Sequence, residues 1–174
     1  MNFSLNSTLQ ILESTPGVLK AWLTQLNDEW TKNNEGENTW SAKDIVAHLI
    51  ICEKTNWLVR AKIILSQDSE KILVPIDMSA HFDSSRNTTL NDLIKNFTEL
   101  REASVKELKS FNLDEDDLQK TAQHPTLGEV KLQQLLSTWT AHDLCHIAQI
   151  SRVMAKQYKE NVGPFIKFLR FINN

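Results

Sequence analysis

Turn-forming residues are scarce in this chain: four Gly and four Pro are spread over 174 residues. Such a chain favours a few long elements over a many-stranded sheet. The spacing of its apolar residues says what those elements are. Four segments carry them at helical period. The first covers residues 5–27 and is expected to break, because Thr15-Pro16 suits an N-cap followed by a first helical position. The second, "WSAKDIVAHLIICEKTNWLVRAKIILS", opens on Ser41 with Asp44 three residues on, a capping-box-like start, and should run to about Ser66. Residues 67–87 have no period and read as a long loop that would shape a pocket. The third helix starts at Thr89, with Asp92 as the partner of its cap, and runs to about Leu108. A helical turn capped by Asp114 follows, and "HPTLGEV" reads as a linker. The fourth helix covers about Lys131 to Tyr158. Gly163-Pro164 ends that region, and "IKFLRFI" makes a short terminal helix. The expected fold is all-α: a four-helix bundle with short extra helices, in a single domain over residues 1–174.

The bulk numbers exclude several classes of function. The net charge is −3 and there is no long basic run, so neither nucleic acid nor an anionic membrane is an expected partner. Apolar runs fall far short of a membrane span. "MNFSLNSTLQ" lacks the basic and apolar regions of a signal peptide. Two cysteines, Cys52 and Cys145, make no disulfide framework. A reduced, cytoplasmic protein is the expectation.

The chemistry concentrates in "WTAHDLCHIAQISR". With His142 set at zero and about 100° per residue, His146 falls near 40°, Leu135 and Val153 near 20°, Trp139 near 60° and Ile150 near 80°. Both imidazoles therefore sit in the core-facing stripe. On the second helix His48 shares a face with Ile45, Cys52, Val59 and Ile63. An unpaired buried polar group costs roughly 1–3 kcal/mol, and a charged imidazole would cost more. A divalent metal answers both costs by taking one nitrogen of each neutral ring. His142 and His146, four apart, can direct two rings at one point, and His48 is the third candidate. Three imidazole ligands leave a coordination position open for water, substrate or a thiol. They suit Zn, Ni, Fe or Cu without choosing among them.

Around that trio the sequence offers weaker candidates. Asp44 could support His48, Asp143 should reach a neighbouring helix, and Gln149 could line the pocket. Cys52 reads as a small buried hydrophobe near His48, and Cys145 as a packing residue. His81 and His124 read as loop histidines, exposed or hydrogen-bonded in turns. Glu53, Trp57 and Arg60 lie about 120° to 180° from His48 and read as structural. No residue is singled out as a general base.

The stretches "ESTPGVLKAWL", "TWSAKDIVAHLIICEKTNWLVRAKIIL", "HPTLGEVKLQQLLSTWTAHDLCHIAQISRVMAKQY" and "VGPF" resemble, in order and over nearly the whole chain, the DinB-like (YfiT-like) superfamily. The resemblance implies crossover connections between the bundle helices. It implies a metal held by His48, His142 and His146, and homodimers. Two departures leave these residues untouched: Lys131 stands where a small hydroxyl cap is common, and Phe165 where Trp is frequent. Relatives include thiol-dependent transferases and isomerases using bacillithiol or mycothiol, and a metal-dependent hydrolase. The expectation is a Zn, Ni or Fe enzyme acting on a small molecule, first an S-transferase using a low-molecular-weight thiol. A hydrolase is the alternative, and a non-catalytic metal-stabilised module the third.

Overall fold

The first helix does not break at its proline. In the computed structural model, which describes residues 2–75 and 87–173, α1 runs uninterrupted over Leu5–Leu23 with Pro16 buried inside it. Pro16 has no N–H for the Leu12 carbonyl, which would leave that oxygen orphaned in the core. The Arg101 guanidinium donates to the Leu12 carbonyl at 3.1 Å instead. Thr15, expected as a cap, bonds its hydroxyl back to the Ile11 carbonyl at 3.0 Å. Residues 24–27 of the expected segment form a turn, and a separate short helix beyond it, α2 (Asp28–Lys32), is capped by Asn27.

The second long segment is two helices. α3 (Ala42–Thr55) opens with the expected Ser41–Asp44 capping box. At Asn56 the backbone turns to φ −112°, ψ −79°, and α4 (Trp57–Leu65) continues from there. The break changes the phase of the helix face. Val59, expected beside His48, is 41% exposed, whereas Trp57 is 3% exposed.

The third long helix, α5 (Leu90–Ser110), is capped by Thr89, and a capping box on Asp114 starts α6 (Glu115–Gln119). "HPTLGEV" is no plain linker. It closes an antiparallel hairpin of β1 (Thr121–His124) and β2 (Gly128–Lys131), with His124 opposite Gly128. Gly128 at φ 76° takes the left-handed conformation that the tight return needs. The chain just before the gap in the described residues joins this hairpin, Leu73 N–H donating to the Gln123 carbonyl at 2.9 Å.

α7 (Leu132–Lys156) starts directly from β2. Lys131 offers no acceptor as its cap, and only the Gln134 side chain reaches back to the Lys131 amide, at 2.9 Å. A 3-10 helix (Gly163–Phe168) and α8 (Arg170–Asn173) end the described chain.

The four long units form a closed ring: α1 against α5, α5 against α3, α3 and α4 against α7, and α7 against α1. The consecutive helices α1 and α3 are thus not neighbours in the ring, as crossover connections require. Two apolar clusters fill the bundle. One gathers Leu12, Trp57, Val105, Leu136 and Trp139, the other Leu19, Leu49, Phe97, Ile150 and Val153. Arg101 sits between them, 1% exposed, and links all four helical units through Leu12, Glu53 and Asp143. Among the described residues, no helix is long and apolar enough to cross a membrane.

Candidate metal centre

α3 and α7 bring the three histidines together. His48 Nε2 lies 3.2 Å from His142 Nε2, and His146 Nε2 lies 3.1 Å from the same atom. All three nitrogens fall within 4.8 Å of one another. His48 is buried, and the other two rings are half-buried. Two nitrogens bound tetrahedrally at Zn–N distances of about 2.0–2.1 Å stand about 3.3–3.4 Å apart, close to the two shorter separations. Lone pairs of like sign converge here, and this donor set could hold a metal ion.

The surroundings aim the rings and keep His142 neutral. His146 Nδ1 donates to Gln149 Oε1 at 2.7 Å, which leaves the Nε2 lone pair facing its partners. Burial pushes His142 down to about 3, and the neighbouring His146 and His48 add to the fall. Its Nδ1 is buried with no hydrogen-bond partner. Two indoles bracket the trio. Trp40 lies 4.8 Å from the His48 ring and 6.2 Å from the His146 ring, and Trp57 meets His142 edge-on at 5.0 Å.

The trio opens on two sides. On one, a cavity of about 280 Å³ is lined by His48, Cys52, Asn56, Trp57, Arg60, Leu73, His124, Leu127, Val130, Leu135 and His142, among others. On the other, a more polar recess of about 350 Å³ is lined by Glu35, Trp40, His146, Gln149 and Arg152. There Arg152 grips Glu35 with bonds of 2.9 and 2.8 Å and holds its carboxyl below the usual range. A cleft of about 580 Å³ between α1 and α5 shares no residue with the trio.

The remaining candidates divide. Gln149 lines the recess as expected, and Asp143 reaches α5 by pairing with Arg101. Asp44 takes the Ser41 amide and hydroxyl, at 3.0 and 2.7 Å, as the partner of its cap. Cys52 is buried with Sγ 3.4 Å from His48 Nε2, and burial beside Glu53 and Asp143 pushes its thiol up to about 12. Cys145 is exposed, not packed, because its position on α7 faces away from the ring of helices. His81 lies outside the described residues. His124 is the expected hydrogen-bonding turn residue, its Nδ1 accepting from the Thr126 and Leu127 amides at 3.3 Å, but the hairpin also carries it to the cavity wall.

Glu53, Trp57 and Arg60 correct the single structural face that helical angles assigned them. Glu53 joins Arg101 and Trp139 in the core. Trp57 and Arg60 line the cavity, because the break at Asn56 turns α4. The sequence signal for this wall is the recurrence of His48, Cys52, Asn56 and Arg60 every four residues. On an unbroken helix that series drifts by about 40° per step, so it does not read as one face.

Comparison with known proteins fits this geometry. A search of curated proteins finds no match. A solved structure from Bacillus subtilis, YfiT, described as "a probable metal-dependent hydrolase with an unusual four-helix bundle topology", superposes with a TM-score of 0.71. It is 21% identical, over 87% of this chain and 89% of that one, and establishes a shared fold. The profile of the DinB superfamily matches residues 11–150, a span that includes α3, the hairpin and the histidines of α7. With most of its length and its whole histidine trio inside that match, the chain belongs to the DinB superfamily.

Proposed function

We propose that the protein is a metal-dependent hydrolase of a small molecule, with His48, His142 and His146 holding a divalent Zn, Ni or Fe ion. The observation that carries this reading is the convergence of three Nε2 atoms, two of whose rings, His48 and His142, line a mostly apolar cavity. A cation bound there would supply Lewis acidity and lower the pKa of water. The fit rests on the chain itself. Burial holds His142 neutral, and Gln149 fixes the tautomer of His146. Trp40 and Trp57 pack against the trio and lower the dielectric beside it. In the reaction, water adds across an ester or amide. The acyl carbon–oxygen or carbon–nitrogen bond breaks, and a carboxylic acid and an alcohol or amine leave. His124 accepts two amides at Nδ1, so its Nε2 can offer an N–H hydrogen bond to a ligand at the cavity wall.

The description of YfiT favours hydrolysis over the thiol transfer expected first. Cys52 does not change that balance, since burial holds its thiol protonated. The test begins with untagged protein and elemental mass spectrometry, beside His142→Ala and His146→Ala. About one metal per chain, lost in both variants, is expected. The loaded protein is then assayed on ester and amide panels with and without added thiols. Turnover without thiol supports the hydrolase. A strict thiol requirement would replace it with the transferase, and a chain that takes up no metal would leave the non-catalytic module.

A further inference from the structure

We propose that the break between α3 and α4 builds an anion subsite, and that the molecule acted on at the histidine trio carries a carboxylate received by Arg60. The identity of the reacting bond rests on the hydrolase reading; the binding of the anion does not.

A buried cation needs a counter-charge or a full set of acceptors. Arg60 is 8% exposed, yet among the described residues it makes no ion pair. Its one hydrogen bond goes to the Val74 carbonyl at 2.9 Å, and its Nε is buried without a partner. Two neighbours share that condition, since Trp57 Nε1 and Asn56 Oδ1 are also buried and unpaired. Among the described residues five buried side-chain atoms lack a partner, and four of them, counting His142 Nδ1, belong to the wall of this one cavity. Unpaired polar atoms gathered at one place are what a polar ligand would satisfy, and the Arg60 and Trp57 donors call for its oxygens.

The rest of the wall defines the ligand. No carboxylate lines the cavity among the described residues, and Leu73, Leu127, Val130 and Leu135 make its surface mostly apolar. One cation in an apolar setting matches a monoanion; a phosphate dianion would keep a buried uncompensated charge. A carboxylate oxygen pair can accept from Arg60 Nε–H and Trp57 Nε1–H, and the Asn56 amide can turn its NH2 toward it. Arg60 stands twelve residues beyond His48, across the break at Asn56, and both line the same cavity. The substrate class is therefore a small amphipathic acid with its hydrolysable bond at one end, an apolar spacer, and a carboxylate at the other.

The experiment compares hexanoate with the isosteric neutral hexanamide, titrated by calorimetry into metal-loaded full-length protein. Hexanoate should bind about 10- to 100-fold more tightly, the range of charge-assisted hydrogen bonds. Arg60→Gln should bring hexanoate down to the level of hexanamide while metal content stays unchanged, and Arg60→Lys should keep part of the preference. In His142→Ala, which removes a proposed metal ligand, the preference should persist. Equal affinities in the wild type would overturn the subsite. So would a preference that survives Arg60→Gln and vanishes in His142→Ala, because the carboxylate would then sit on the metal. If Arg60→Gln does not fold, wild type and His142→Ala decide between these outcomes. Failure to hydrolyse any ester or amide would overturn the hydrolase reading and leave the subsite standing.

Discussion

Two buried polar clusters lie side by side in this bundle and are built in opposite ways. Around Arg101 the guanidinium bonds Glu53 at 3.0 and 2.8 Å, Asp143 at 3.0 Å and the Leu12 carbonyl, and lies over the Phe97 and Trp139 rings. Burial opposes its charge, but the two carboxylates outweigh burial and raise its pKa. Around His142 the polar atoms face one another or an open cavity, and several have no partner. The same two helices supply both clusters. Glu53 follows Cys52 and Asp143 follows His142, and successive residues point about 100° apart, so α3 and α7 each send one face across the bundle to α5 and another into their own seam. The closed cluster, in which Glu53 Oε2 alone lacks a partner, is a structural tie; the open one could hold a ligand. Unsatisfied polarity, more than polarity itself, marks the site.

Breaking the tie should have the largest effect. Arg101→Met strands two carboxylates and the Leu12 oxygen and should cost about 3–5 kcal/mol in denaturant melts. A loss under about 1 kcal/mol would show that the cluster does not hold the helices together. Metal loading should sharpen the contrast. At a free metal concentration of one hundred times Kd it adds about 2.7 kcal/mol to the wild type. That gain should vanish in His146→Ala and after chelation. A thermal shift unchanged by the variant would separate the stabilisation from the trio.

Acid should act on the metal-free open cluster. The His142 pKa is lowered when folded, so the unfolded chain takes up its proton first. Stability from this group is present above its ordinary value of 6.5 and lost as pH falls toward about 3. The slope is at most about 1.4 kcal/mol per pH unit for one proton. Denaturant midpoints across that range should flatten in His142→Asn, and an unchanged slope would place the sensitive group elsewhere. The smallest effect touches neither cluster. Lys131→Ser supplies the missing cap of α7 and should add about 0.5–1 kcal/mol without altering metal content.

Where local rules suffice, the chain is readable from its letters. The caps at Ser41, Thr89 and Asp114 are all present, because a cap is settled within four residues. The inward faces of His142 and His146 follow from an unbroken α7. Pro16 shows the limit. Its cost to α1 is offset by Arg101, distant in sequence, so local propensity places a break where none occurs. Asn56 shows the reverse. The turn there brings Trp57 onto Trp139 at 5.6 Å and to the edge of His142. Those contacts exist only once α7 is in place.

The amino-acid sequence determined the class of fold, the caps and the three inward imidazoles, because helix period and capping are short-range properties of the backbone. Only the tertiary structure decided that α1 survives its proline, that α4 turns Arg60 and Trp57 into a cavity, and that a hairpin brings His124 to the same wall. Each of those outcomes depends on a partner dozens of residues away, and burial makes that partner's presence or absence the larger energy.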